Sequence, residues 1–347
     1  MSSPFMIRFF YIPLLVLNAC IQNKSEAPKT VKISGSAQGT TFAITYLDDE
    51  EREFVNEVDS LLRLIDQSMS LWVDSSLISR LNKGMDSVVT DLHFLKVFNT
   101  GQKISETTSG AFDMTVGALV RTWGFSPGTP ISIDSTVIDS ISRFTGYQNV
   151  SILPDGKYVR KHKETQIDFN AIAQGYTVDV LAEFLEEKNI SNYLVEVGGE
   201  LRTAGKNGAG EAWVIGIDFP MEDVVHVAQV IIHVSDKSVA TSGNYRKFFE
   251  YDGVKYAHTI DPKTGYPARH TLLSATIVAD YCMDADAYAT ALMVMGTDSA
   301  KVFLKDHPEL EAFLIFGDDD GRFNTWMTDT FKARIIEEKK TEAPKES

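Results

Sequence analysis

Thiol chemistry has almost nothing to work with in this chain. Its 347 residues include two cysteines, Cys20 and Cys282, and no CxxC. A disulfide scaffold, a thiolate zinc site and a dithiol redox centre are therefore excluded. Histidine is also sparse: the seven, at positions 93, 162, 226, 233, 258, 270 and 307, form no HExxH and no close pair of the zinc-ligand kind. Any metal would be held by oxygen. Basic charge is in deficit, with 33 Lys and Arg against 48 Asp and Glu, a net charge of -15. A chain this acidic repels phosphates, so nucleic acid is not an expected partner. An anionic substrate would need a metal cation or a nest of backbone N–H groups. Nucleotide loops are missing too. There is no GxxxxGK[ST], and Gly205-Lys-Asn-Gly208-Ala-Gly210 is not GxGxxG and precedes a strand rather than a helix.

What is present is an ordinary globular composition, 44% hydrophobic and 23% charged. The length fits about two domain equivalents, or one large domain with two lobes. The N-terminus stands apart. Arg8 precedes an apolar run, Phe9 to Leu17, and then Asn18-Ala19-Cys20. Nine residues are too few for a membrane span, which takes about 20 as a helix. The order of charge, apolar run and small residue is that of a secretory signal. Its Leu-x-Ala-Cys ending resembles a bacterial lipobox, in which Cys20 becomes a lipidated mature N-terminus. The expected organisation is a signal peptide at 1–19, a flexible tether at 20–33, a folded domain at 34–336 and a charged tail at 337–347. The expected location is the bacterial cell envelope, lipid-anchored, on the periplasmic or external face.

Hydrophobic periodicity predicts strand, turn, strand over 34–47, a helix over 49–66, a short helix at 75–82, a longer one at 93–109 and another at 134–144. A hairpin is expected over 147–169 and a strong helix over 171–188. Strands follow at 192–197, 212–218, 227–234, 254–260 and 272–279, helices at 284–295 and 298–307, and strands at 311–316 and 323–327. Strands and helices mix without a regular βαβ alternation, so the expected fold class is α+β with mixed sheets.

Several local pieces carry chemistry, and each has a plain structural alternative. In Asp284-Ala-Asp286-Ala-Tyr-Ala-Thr290, Asp286 and Thr290 are four apart and share a helix face. A carboxylate and a hydroxyl one turn apart suit Mg²⁺; the same segment also reads as a core helix capped by Asp284 or Asp286. Asp168-Phe-Asn-Ala171-Ile-Ala-Gln174-Gly175 sets an acid and a glycine at a strand-to-helix junction. That suits an anion or simple capping and close packing. Val197-Gly-Gly-Glu200, Ala240-Thr-Ser-Gly-Asn-Tyr245 and His258-Thr-Ile-Asp-Pro262 are each turn-like, and each alone is as well explained by structure as by a site.

Taken in order, these pieces resemble the ApbE family, whose members are FAD:protein FMN transferases. The resemblance runs from about residue 35 to 316. It is carried by Gly39-Thr-Thr41, Trp72 with Ser76–Asn82, Ser109-Gly-Ala-Phe-Asp113 through Gly117, Trp123-Gly-Phe, Asp168 to Tyr176, Val197 to Glu200, Ala240 to Arg246, His258 to Gly265 and Ala285 to Leu292. It implies a two-lobed α+β domain with FAD in the cleft and Mg²⁺ on the pyrophosphate. FAD would be cleaved, AMP released, and FMN joined to a Thr or Ser of a target flavoprotein. Asp286 and Thr290 match the side-chain metal ligands, and Ala171 the position whose carbonyl completes them. Trp72, Ala111, Phe112, Asp113 and Asp168 match flavin or cofactor contacts, and His258 the histidine held essential. His258 is the candidate general base, since imidazole is mostly neutral at working pH; an Asp could serve instead.

Two positions depart from the family pattern. Gln38 stands where many members have Met, beside the flavin, and Gln174 where many have Lys, near the phosphates. The acceptor motif the family modifies is Ser/Thr-Gly-Ala-Thr/Ser. Ser109-Gly110-Ala111 is followed here by Phe112, so the expected acceptor is another protein. The same residues would also serve an Mg²⁺-dependent FAD pyrophosphatase or, without catalysis, a flavin-binding lipoprotein.

Overall fold

The computed structural model describes residues 29–85, 88–125, 134–218, 228–243, 248–251, 254–257, 259–318 and 322–338. The chain enters through β1 (Thr30–Ala37) and β2 (Thr40–Leu47), an antiparallel hairpin. Its two-residue turn, Gln38-Gly39, has positive φ at both positions (53° and 76°), the twist that two-residue hairpins favour. β1 starts four residues inside the stretch expected to be tether, because Val31 and Ile33 alternate inward and are buried. Helix α1 (Val55–Met69) buries Val58, Leu62, Ile65 and Met69 at helical spacing. Short α2 (Leu77–Asn82) is capped by the Ser76 hydroxyl, and α3 (Leu92–Thr107) by the Asp91 carboxylate. Then come α4 (Gly117–Thr122), α5 (Ser135–Ser142) and a small hairpin, β3 (Val150–Ile152) with β4 (Tyr158–Arg160).

Helix α6 (Ala173–Glu187) leads into β5 (Tyr193–Val197) and β6 (Glu200–Ala204). The latter strand was not expected from sequence. It exists because Gly198 and Gly199, at φ of 69° and 110°, close a tight hairpin that pairs Val197 with Glu200. β7 (Trp213–Asp218) and β8 (Ala228–Val234) form a second hairpin. β9 (Ser238–Gly243) takes the place of an expected turn: Val239 and Ala240 are buried, and the strand is paired on both sides. β10 (Phe248–Tyr251) pairs with β11 (Val254–Ala257). β12 (Leu272–Ala279) is central, and α7 (Cys282–Met295) follows it. The chain ends with α8 (Thr297–Asp306), β13 (Glu311–Gly317), β14 (Phe323–Met327), α9 (Asp329–Lys332) and β15 (Ile335–Glu338). β15 runs two residues into the expected tail.

The main sheet has eight strands in the order β1-β2-β5-β6-β9-β12-β13-β14. A smaller sheet, β15-β8-β7, covers part of one face. Among the described strands every ladder is antiparallel, where mixed sheets were expected. Leu201, Val239, Val278, Phe313 and Ile315 point toward the smaller sheet and pack on Ile217, Val230, Ile232 and Val234. The other face carries the helices. α7 is apolar on nearly every side, with Ala285, Ala287, Ala289, Ala291 and Leu292 completely buried, which marks it as an interior helix.

The closest helix contact lies between α6 and α7. A Cβ built on Gly175 would stand 2.4 Å from the Cys282 carbonyl oxygen and 2.9 Å from Asp286 Cβ. No L side chain tolerates that without moving backbone. Gly175→Ala should cost about 2–3 kcal/mol of unfolding free energy in urea, the upper range for overpacking. Gly317→Ala, with nothing within 4 Å of the added carbon, should stay within about 0.5 kcal/mol.

Candidate active site

Several of the pieces picked out in the sequence meet where α6 and α7 approach the β1–β2 and β5–β6 turns. Gln174, on the first turn of α6, lies against the second of these turns. A Cβ on Gly198 would come within 2.3 Å of Gln174 Nε2, 3.1 Å of Thr40 Cγ2 and 3.3 Å of Glu200 Oε2. Three separate sequence motifs thus share one contact point. Gln38 reaches the same helix one turn on, with Nε2 donating to Thr177 Oγ1 at 3.0 Å.

Asp286 is buried, and its Oδ2 accepts the Gly175 N–H at 3.0 Å. That N–H is in the first turn of α6, where the helix itself offers no partner. The Ala171 carbonyl, just before the helix, accepts no backbone N–H among the described residues. One turn along α7, Thr290 Oγ1 lies 3.1 Å from Ser242 Oγ on β9. A carboxylate, a hydroxyl and a free carbonyl are hard oxygen donors, and they fit Mg²⁺. They bring one negative charge between them, so the remaining coordination suits an anionic substrate.

Asp168 lies on the segment that enters α6. Its Oδ1 accepts the Asn170 N–H at 2.8 Å, and its own N–H donates to the Met114 carbonyl. Asn82 clamps this segment through both sides of its amide, donating to the Ile167 carbonyl and accepting the Ile167 N–H, each at 2.8 Å. Ala111 and Phe112 point into the core. The Asp113 carboxylate is committed internally, accepting from Thr115 N–H (2.8 Å), Thr115 Oγ1 (2.6 Å) and Tyr147 N–H (2.7 Å). Burial nevertheless pushes its pKa up. No described contact joins these three residues to Asp286. Trp72, on the loop between α1 and α2, is 63% exposed, which leaves an indole face open to a planar ring. His258 and Asn244 to Arg246 lie outside the described residues.

Sequence reasoning passed over Asp179. Its carboxylate accepts the backbone N–H groups of Cys282 (3.0 Å) and Met283 (2.9 Å), the first turn of α7. The only sequence signal was its place one turn beyond Gly175. The expected caps, Asp284 or Asp286, do not cap. Tyr281 occupies the N-cap position and makes no side-chain cap bond.

The family model described as ApbE matches residues 38–314. The chain belongs to the ApbE family. Among curated proteins it is 35% identical to a Vibrio cholerae FAD:protein FMN transferase, over 92% of this chain and 96% of the relative. It is 32% identical to an Escherichia coli K12 protein of the same name, over 91% and 92%. Among solved structures, the flavin transferase ApbE from Vibrio cholerae superposes with a TM-score of 0.80 at 33% identity, covering 88% of this chain and 99% of that one. The ApbE protein from Thermotoga maritima gives 0.79 at 29% identity, covering 89% and 100%. The α+β arrangement of helices and antiparallel sheets is therefore the ApbE fold.

Burial pushes the Asp286 carboxyl up to about 7, against the opposing pull of the Gly175 amide. The folded state then holds a proton that the unfolded chain, titrating near 3.8, has already lost. Metal-free protein should be most stable below about pH 4 from this group alone, and should lose that contribution as pH rises through about 7. Asp286→Asn keeps the acceptor for Gly175 and removes the charge. At pH 8 without metal it should raise Tm by several degrees, and it should flatten the fall in Tm between about pH 5 and pH 8. A variant with the wild-type slope would place the titration elsewhere.

Proposed function

We propose that this protein is an FAD:protein FMN transferase that uses Mg²⁺. The observation that carries the reading is the convergence of Ala171, Gln174, Gly175, Asp286, Thr290 and Ser242 at one helix junction, in a chain of the ApbE family. The acceptor hydroxyl oxygen would attack the FMN-side phosphorus of the pyrophosphate. The bond to the AMP oxygen breaks, and AMP leaves with that oxygen. Mg²⁺, held by Asp286, Thr290 and the Ala171 carbonyl, would supply charge neutralisation at the phosphates, the main need of phosphoryl transfer. Gln174 offers an amide donor beside them, a weaker aid than the Lys common at that position. His258 takes the acceptor proton in this reading, and exposed Trp72 stacks on the flavin. Ala111, Phe112, Asp113 and Asp168 shape the cofactor contact from behind. Because Phe112 is buried in the core, the 109–112 segment is no acceptor, and the target is a separate flavoprotein bearing Ser/Thr-Gly-Ala-Thr/Ser.

The test mixes the protein, FAD, Mg²⁺ and an acceptor domain carrying that motif, and reads the acceptor mass. Addition of FMN with release of AMP is expected. FMN and AMP without acceptor modification would make the protein a pyrophosphatase, and FAD retained intact would make it a binder. Asp286→Ala should abolish transfer. Thr290→Ala should raise the Mg²⁺ requirement less severely, since a hydroxyl brings a lone pair but no charge. His258→Ala should keep FAD affinity and lose about 10²–10⁴ in rate.

We further propose that Cys20 is lipidated and tethers the domain to the bacterial envelope, on the periplasmic or external face. The support is the order of Arg8, the apolar run and Leu17-Asn18-Ala19-Cys20. Among the described residues no helix is long and apolar enough to cross a membrane. Cys20→Ser should move the protein from the membrane fraction to the soluble one; unchanged fractionation would refute the anchor.

A further inference from the structure

We propose that Asp179 is a positioning residue: it pins the N-terminus of α7 against α6 so that Asp286 meets the Gly175 amide and faces the site. The proposal rests on the transferase reading through the metal role given to Asp286.

The geometry is reciprocal. On α6, Gly175 and Asp179 are one turn apart. On α7, Cys282 and Asp286 are one turn apart. Asp286 of α7 accepts the N–H of Gly175 in the first turn of α6, at 3.0 Å. Asp179 of α6 accepts the N–H groups of Cys282 and Met283 in the first turn of α7, at 3.0 and 2.9 Å. Each helix therefore supplies a carboxylate to amides that the other leaves open at its start. α7 needs this, because its own N-cap residue makes no side-chain cap. Between the two carboxylates the backbones touch at Gly175 and Cys282, where there is no room for a methyl group.

Asp179 is itself held in place. Arg202 Nη1, from β6, donates to its Oδ1 at 3.1 Å, and the carboxylate side chain is 1% exposed. Arg202 also binds Glu186 at 3.0 Å, about two turns further along α6. The guanidinium thus ties α6, the start of α7 and the main sheet together. A slip of α7 by one residue would turn Asp286 by about 100°. That would take Asp286 off the Gly175 amide and Thr290 off Ser242. Asp179 resists the slip at a distance, without itself touching metal or substrate.

The experiment compares wild type, Asp179→Asn and Leu181→Ala. Leu181 is a fully buried apolar residue of the same helix. Three quantities are read: Tm, the Mg²⁺ concentration giving half-maximal transfer, and the exchange rate of the Gly175 amide in metal-free protein. Both variants should lower Tm. Only Asp179→Asn should raise the Mg²⁺ requirement, by about 10-fold or more as for groups that orient metal ligands, with kcat at saturating Mg²⁺ close to wild type. Only Asp179→Asn should speed Gly175 exchange beyond the loss of global stability. An unchanged Mg²⁺ requirement with unchanged Gly175 exchange would overturn the proposal, as would equal shifts in Leu181→Ala. If Asp179→Asn does not fold, Arg202→Gln, which leaves both amide bonds in place, should shift the same quantities less far; no shift overturns the proposal. Wild-type transfer indifferent to Mg²⁺ would refute the metal reading instead, and the Gly175 exchange rate would then decide the lock by itself.

Discussion

The contact between α6 and α7 organises this protein. Two helices meet backbone to backbone at Gly175 and Cys282, and a carboxylate on each binds the open amides of the other. Charge-assisted bonds to backbone N–H groups in a dry interior are strong and directional. They fix both the register and the rotation of α7. The groups proposed to hold the metal and the phosphates depend on that register. Asp286 and Thr290 are on α7, the Ala171 carbonyl lies just before the start of α6, and Gln174 is next to Gly175 on its first turn. The β-hairpin turns at Gln38-Gly39 and Gly198-Gly199 close around the same helix start, because positive φ lets them turn tightly enough to approach it.

Electrostatics give this arrangement its sense. A chain of net charge -15 is poorly suited to a dinucleotide substrate unless the local field differs from the global one. The start of α6 is such a place: it is the positive end of a helix dipole, and the Gln174 N–H has no backbone partner among the described residues. Burying Asp286 there raises its pKa, which is a cost to the metal-free fold and a gain in readiness for a cation. Function and stability pull in opposite directions at this residue, as they commonly do in active sites. Thr290 and Ser242 add polarity without charge, so a cation bound there would keep positive charge available for phosphate oxygens.

Legibility in the sequence varied with the range of the interaction involved. Helices α1, α3 and α6 and strands β2, β5, β12 and β13 were readable from periodicity, because each buries one face or is apolar throughout. β9 was not, since Ala-Thr-Ser-Gly has turn composition and becomes a strand only through two neighbours that pair with it. β6 was missed because Gly198-Gly199 looked like the end of a strand rather than the bend between two. The Asp286–Thr290 pair was visible as a helix face. Its link to Ser242 was not, since the two lie 48 positions apart.

The sequence by itself determined the class of the protein. Two cysteines, no nucleotide loop and an acidic balance removed whole chemistries, and the ordered motifs from Gly39 to Leu292 pointed to the ApbE family. Spacing on one helix face also marked Asp286 and Thr290, while Ala171 and Gln174 were marked by the family resemblance. Only the tertiary structure decided what caps α7 and why Gly175 must be glycine. It also turned Ala111, Phe112 and Asp113 inward while leaving Trp72 in the open. Those outcomes depend on which distant backbone amides and carboxylates come within hydrogen-bond reach. Asp179 and Cys282, 103 positions apart, become neighbours only when the sheet and its helices have closed.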